Sequence, residues 1–273
     1  MKVLITEKIA EDGINILKKG FDVDVKLGLS PTELLEVIGD YDALIVRSAT
    51  KVTSEVIKAG KKLKVVGRAG TGVDNIDLDA ATMQGVIVIN TPGGNSVAAA
   101  ELTIGLIFSI FRSIPQAYAA GKRKFYSRNS FKGYELYGKT AGVIGLGRIG
   151  TLVAKRLKAM EMHVIGYDPY VQEEYFKKMG IKKCQTLEEL LKKSDLITIH
   201  IAKTKETTNL LDEKEFSIMK DGVRIVNCAR GGIINEKALY NALVSGKVAA
   251  AGLDVLEKEP KFELPPEEQT YDN

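Results

Sequence analysis

The run Gly145-Leu-Gly-Arg-Ile-Gly150 narrows the folds open to this chain more than any other feature. It lies between a short apolar run, 141–144, and an amphipathic stretch starting at Arg148, so its G-x-G-x-x-G spacing falls at a strand-to-helix junction. Each glycine has its own task there. Gly145 permits the tight turn, Gly147 lets a diphosphate approach bare backbone, and Gly150 lets the helix pack close to the strand. The helix start offers unpaired N–H groups and the positive end of the helix dipole to phosphates. Asp168 closes a second strand-like run, 162–167, at the place where an acid takes the 2′-hydroxyl of an adenosine ribose.

The rest of the chain supports a sheet of that kind. Strands are expected at 2–6, 21–25, 43–46, 64–67 and 86–89, with helices at 11–19, 30–38 and 54–59. The alternation resumes with strands at 141–144, 163–167, 196–200, 223–226 and 248–251, and helices at 148–160, 172–179, 187–193, 213–219 and 236–245. Strands alternating with helices mean βαβ units and parallel sheets, here an α/β Rossmann-type doubly wound sheet with a smaller α/β domain before it. Thr91-Pro-Gly-Gly-Asn-Ser96 is the clearest punctuation and sets the expected domains at 1–95 and 96–273. A long helix over 97–119, kinked near Pro115, should follow. Ligands are expected past the carboxyl ends of the second set of strands, after Asp168, His200 and Asn227.

Several functions are excluded. A net charge of +4 from mixed acids and bases is too small to imply nucleic acid. Phe125, Tyr126, Phe131 and Tyr134 lie among basic residues, but beside a domain junction they can simply pack. The apolar run 102–111 is too short to span a bilayer. Cys184 and Cys228 are far apart, which argues for a reducing cytoplasm and against a zinc site, so no metal is expected. Gly133-Tyr-Glu-Leu-Tyr-Gly-Lys-Thr140 fits the phosphate-loop pattern of ATPases, but it precedes a strand instead of following one, and bulky side chains crowd it.

Chemistry concentrates at Asn227-Cys-Ala-Arg-Gly-Gly232, which follows a strand end. A guanidinium there can hold a carboxylate by two parallel hydrogen bonds and polarise a neighbouring carbonyl. The alternative for Arg230 is a surface ion pair, and the flanking small residues favour the ligand end of the sheet. Asp254 and Glu259 follow the next strand; either acid alone is as readily a surface residue.

These segments carry a family resemblance. Arg47-Ser-Ala-Thr-Lys-Val-Thr53, Val66-Gly-Arg-Ala-Gly-Thr-Gly-Val-Asp-Asn-Ile-Asp77, Asn90-Thr-Pro-Gly-Gly-Asn-Ser96, Ala100-Glu-Leu, the glycine turn, Asn227–Gly232 and Asp254-Val-x-x-x-Glu-Pro260 occur in order. Together they resemble the D-isomer-specific 2-hydroxyacid dehydrogenases. The resemblance implies a flavodoxin-like substrate-binding lid domain before an NAD-binding Rossmann domain. It implies that Arg230 anchors the substrate carboxylate and keto oxygen, and that Glu259 pairs with a catalytic histidine. Arg148 and Ile149 match contacts to the pyrophosphate. Thr71, Ile201, Cys228, Ala229 and Asp254 match further cofactor contacts, while Arg47, Gly70 and Asn95 match substrate contacts, Arg47 as a candidate for a substrate phosphate. Lys122, Arg123, Lys124 and Arg128 either serve that phosphate or form a solvated basic loop. Pro169 and Tyr170, not an arginine, follow Asp168, which favours NAD over NADP.

The expected activity is hydride transfer between NAD and a small anionic 2-hydroxy or 2-keto acid, with oxidation of 3-phosphoglycerate favoured. Glyoxylate, hydroxypyruvate or lactate as substrate, or a non-catalytic NAD-responsive corepressor role, are the alternatives. The family pattern also implies a homodimer or larger homo-oligomer. One departure stands out: the family's acid-base histidine follows the Glu-Pro pair, whereas the two histidines here are His163 and His200. The expectation is a chain incomplete at its C-terminal side that lacks the segment returning to the first domain, binds NAD and turns over poorly.

Overall fold

The computed structural model describes residues 1–125 and 129–258. The chain divides into two compact units, Met1–Asn95 and Ser96–Asn273.

The first unit runs β1 (Lys2–Ile5), α1 (Glu11–Lys18), β2 (Asp22–Val25), α2 (Pro31–Val37), β3 (Ala43–Val46), α3 (Ser54–Ala59), β4 (Val65–Arg68), α4 (Leu78–Met83) and β5 (Ile87–Asn90). Its strands pair in parallel in the order β2-β1-β3-β4-β5, the flavodoxin-like arrangement. Leu4, Leu44, Val46 and Val66 pack on one face, while Val3, Ile5 and Ala43 pack on the other. That is the period-two alternation of strands covered on both sides. Ser30 starts α2 with a capping box: its hydroxyl accepts from Glu33 N–H and the Glu33 carboxylate accepts from Ser30 N–H. Helix α4 is absent from the expected elements. Six residues give too few turns for a periodic signal, and the Asp77 side chain starts the helix by accepting from Ala80 N–H at 2.9 Å.

The second unit runs α5 (Ser96–Arg112), α6 (Ile114–Lys122), β6 (Thr140–Ile144), α7 (Arg148–Ala159), β7 (His163–Tyr167), α8 (Glu173–Met179), β8 (Lys182–Lys183), α9 (Leu187–Lys193), β9 (Leu196–Ile199), α10 (Glu213–Ile218), β10 (Val223–Asn227), α11 (Glu236–Val244) and β11 (Val248–Leu253). All strands are parallel in the order β11-β10-β9-β6-β7-β8. The chain therefore winds one way from β6, returns, and winds the other way from β9, the doubly wound order expected. Ile144, Ile165, Ile197 and Ile225 feed one apolar layer, and Val143, Val164, Leu196 and Val226 feed the other.

The expected helix over 97–119 is two helices. Ser113 adopts a left-handed conformation, φ 52°, and α5 and α6 meet there at 69°. The break precedes Pro115 by two residues, because a proline missing its N–H is tolerated in the first turn of a new helix. Among the described residues no single helix is long and apolar enough to cross a membrane.

Candidate functional site

The register of the second sheet puts five strand ends in one row. Ile144 lies opposite Tyr167 on one side and Ile199 on the other, Asn227 lies opposite Ile199, and Leu253 lies opposite Asn227. One residue further along each strand stand Asp168, Gly145, His200, Cys228 and Asp254. Four of these are expected site residues, and the winding reverses between β6 and β9, in the middle of the row. From Asp168 to Cys228 is three strand spacings, about 14 Å, a span suited to an extended ligand crossing the switch point.

The glycine turn sits at the centre of that row. Gly145 has φ +89°, and a Cβ there would stand 2.6 Å from the His200 carbonyl oxygen. Only glycine meets both demands. A Cβ on Gly150 would run into the Gly145 carbonyl oxygen, so the first turn of α7 rests directly on the strand end. Gly147 differs: nothing lies within 4 Å of where its Cβ would project. The turn is thus closed behind and open at Gly147, where α7 begins with Arg148 and Ile149. Amides at a bare helix start facing open space suit a diphosphate. The Asp168 carboxylate fastens this turn to the end of β7, Oδ2 accepting from Leu146 N–H at 2.9 Å and Oδ1 from Tyr170 N–H at 3.0 Å. Each oxygen keeps a lone pair for a ribose hydroxyl.

His200 follows β9 and precedes Ile201. Its Nε2 and the Thr198 hydroxyl share a hydrogen bond of 2.9 Å. Burial pushes the imidazole down to about 4 from 6.5, so it is neutral near pH 7. Between pH 6.5 and about 4 the unfolded imidazole takes up a proton that the folded one refuses, so stability is intact above that window and falls as pH drops through it. The expected loss is about 3 kcal/mol. Urea unfolding at stepped pH should show a shallower slope for His200→Asn; parallel curves for variant and parent would remove His200 as the cause. His163 is exposed at the opposite end of its strand from the row.

The turn after β10 is built by one buried side chain. Asn227 Oδ1 accepts from Ala229 N–H and its Nδ2 donates to the Arg230 carbonyl, both at 2.9 Å. Arg230 is half-buried, and its Nη1 donates to the Ala229 carbonyl at 2.7 Å. A Cβ on Gly231 would collide with the Leu256 carbonyl, so this turn crosses close over the segment after β11. Asp254 N–H donates to the Asn227 carbonyl at 3.0 Å, fixing the two strand ends together. Glu259, the other expected catalytic residue, lies outside the described residues, as do Tyr126 and Arg128.

The first unit brings its own candidates together. Arg47, Ser48, Arg68, Gly70, Thr71 and Asn95 line a cavity of about 280 Å³ past the ends of β3, β4 and β5. Thr71 Oγ1 donates to Asn95 Oδ1 at 2.8 Å, and the Arg68 guanidinium lies against the backbone of Gly70. Two guanidiniums at one cavity make an anion-receiving surface. Arg68 sits inside the motif 66–77, yet nothing in the sequence marks it as a second cation of the cavity. Asn227 opens the motif 227–232, but its turn-building role carries no sequence signal, because it acts on backbone atoms of the turn.

The remaining motifs behave structurally. The segment 133–140 opens no helix; Thr140 begins β6. The Tyr134 ring lies 4.3 Å from the Arg224 guanidinium carbon, whose other neighbour is Phe111 at 4.7 Å, so this aromatic packs within the unit. Lys122 lies over the Tyr118 ring at 5.3 Å. Cys184 and Cys228 are free thiols.

Residues 104–270 match the family described as D-isomer specific 2-hydroxyacid dehydrogenase, NAD binding domain. The chain is 52% identical over 265 residues to a D-3-phosphoglycerate dehydrogenase of Methanocaldococcus jannaschii, covering 97% of this chain and 51% of that protein. It is 53% identical over 261 residues to a D-3-phosphoglycerate dehydrogenase of Archaeoglobus fulgidus, covering 95% and 49%. The chain thus spans about half the length of these curated relatives. A D-lactate dehydrogenase from Aquifex aeolicus, solved in complex with NAD and lactic acid, shares the fold with a TM-score of 0.85 at 31% identity, covering 94% of this chain and 77% of that one.

Proposed function

Because the chain belongs to the D-isomer-specific 2-hydroxyacid dehydrogenases, we propose that it serves the NAD-dependent oxidation of 3-phosphoglycerate to 3-phosphooxypyruvate, the reaction that opens serine biosynthesis. The observation that carries this reading is the 52% identity over nearly the whole chain to a relative of that name.

The residues at the row fit the cofactor. The open backbone at Gly147 and the start of α7 at Arg148 and Ile149 would receive the diphosphate, and Asp168 the adenosine ribose. Ile201, Cys228, Ala229 and Asp254 are assigned to its nicotinamide half, and Thr71 of the first unit to the same ligand. Bound there, NAD supplies the acceptor for a hydride from the alcohol carbon. Arg230 is assigned to the substrate carboxylate and the reacting oxygen, since a fork of N–H donors holds the acid and offsets charge on that oxygen. Arg47, Gly70 and Asn95 are assigned to the substrate's anionic groups, with Arg47 taking the phosphate. The hydroxyl proton is given to neither described histidine: His163 is remote from the row, and His200 is held against Thr198.

We assign the protein to the reducing cytoplasm, which two thiols outside any disulfide support. A second copy of the chain is its proposed partner, through the outward face of α5, where Val97 and Leu102 are exposed.

Binding tests these assignments without relying on turnover. Calorimetry should show NAD binding more tightly than NADP, and the NADH complex binding 3-phosphoglycerate at least tenfold more tightly than D-glycerate or D-lactate. Equal affinity for phosphorylated and unphosphorylated acids would rule out 3-phosphoglycerate as the substrate.

A further inference from the structure

Arg47 stands on a turn, 47–50, whose backbone groups are served by two side chains from distant parts of the first unit. From one side comes Glu7, two residues past β1. Its Oε1 accepts from Arg47 N–H at 2.8 Å and Thr50 N–H at 2.9 Å, and its Oε2 accepts from Ala49 N–H at 3.1 Å. From the other comes Asn75, 92% buried, whose Nδ2 donates to the carbonyls of Arg47 and Thr50, each at 2.7 Å. Thr6 adds a hydroxyl contact to Thr50 at 2.9 Å. The next residue, Lys8, offers its carbonyl to Arg47 Nη1 at 3.5 Å, so one short segment fixes both the backbone and the head of the arginine.

We propose that Glu7 is a positioning residue for the substrate's anionic end: its carboxylate gathers the three N–H groups of the 47–50 turn and so sets where the Arg47 guanidinium stands at the cavity shared with Arg68, Gly70 and Asn95. The inference rests on the reading of Arg47 as a substrate contact. Burial alone would raise the Glu7 carboxyl, but the N–H groups of Thr50, Arg47 and Ala49 outweigh it and hold the group below the usual carboxylate range. The carboxylate is therefore ionised where it works, and charged acceptors make the stronger bonds. A turn held only by packing would need no carboxylate at its centre, whereas here one half-buried carboxylate collects three convergent N–H groups.

The test is a double-mutant cycle on the full 273-residue chain, with calorimetry of 3-phosphoglycerate on the NADH complex. Glu7→Gln keeps the size but sets an N–H₂ group against backbone donors. It should weaken acid binding about tenfold and leave the dissociation constant of NAD within twofold. In an Arg47→Ala background the same change should have no further effect on acid binding, because Glu7 acts through Arg47. Amide exchange at Arg47, Ala49 and Thr50 should quicken in Glu7→Gln, which shows that the variant is folded and the turn released. Acid affinity unchanged in Glu7→Gln, or an equal loss with and without Arg47, would overturn the inference while leaving the functional reading in place. No acid binding by the unaltered chain would overturn both.

Discussion

Gly147→Ala will leave the fold intact and remove most of the affinity for NAD. Gly147 has φ −70°, which alanine accepts, and no atom lies within 4 Å of the new methyl group. Alanine is a poor helix N-cap, so a cost of about 1 kcal/mol in stability is expected. The methyl group would stand where the diphosphate is proposed to meet bare backbone, and the loss of binding should be at least 100-fold, about 3 kcal/mol. Gly150→Ala is the contrasting control. There the methyl group meets the Gly145 carbonyl inside the protein, so the unliganded chain itself should melt early. Thermal unfolding without ligand, paired with calorimetric NAD titration, separates the two. A Gly147→Ala chain that binds NAD as well as its parent would sink the placement of the diphosphate.

Arg230→Lys is expected to do the reverse, sparing the cofactor and damaging the acid site. The charge survives, but the planar fork and its two parallel hydrogen bonds do not. Affinity of the NADH complex for the 2-hydroxy acid should fall by roughly 10- to 100-fold, and any catalytic rate should fall by about 10²–10³, the usual effect of losing one preorganised donor. NAD binding should stay within twofold. Lysine also loses the bond from Nη1 to the Ala229 carbonyl, so the parallel measurement is whether the Asn227 turn keeps its protected amide at Ala229. A variant that binds the acid normally would take Arg230 out of the site.

What the sequence made legible follows from how local each feature is. The glycine turn could be read because a turn, a close packing and a helix start each demand a residue type within six positions. The central strands could be read because strands covered on two faces leave plain apolar runs between helical stretches. Helix α4 and the two-residue β8 were too short to show a period. The break at Ser113 carries no sequence signal, because serine seldom takes a left-handed conformation, and the proline signal lies two residues further along. Glu7 and Asn227 act on backbone N–H and carbonyl groups, which every sequence contains everywhere. Glu7 meets Arg47 across forty residues, and no spacing rule connects them.

The shared row of strand ends has a thermodynamic consequence. The spacing of Gly145, Asp168, His200, Cys228 and Asp254 is dictated by the hydrogen-bond lattice of the sheet, not by the loops that follow. Their relative freedom is therefore surrendered once, when the chain folds. A dinucleotide bound as proposed would find Asp168, Cys228 and Asp254 already at fixed intervals, so little of its interaction energy would be diverted into ordering the protein.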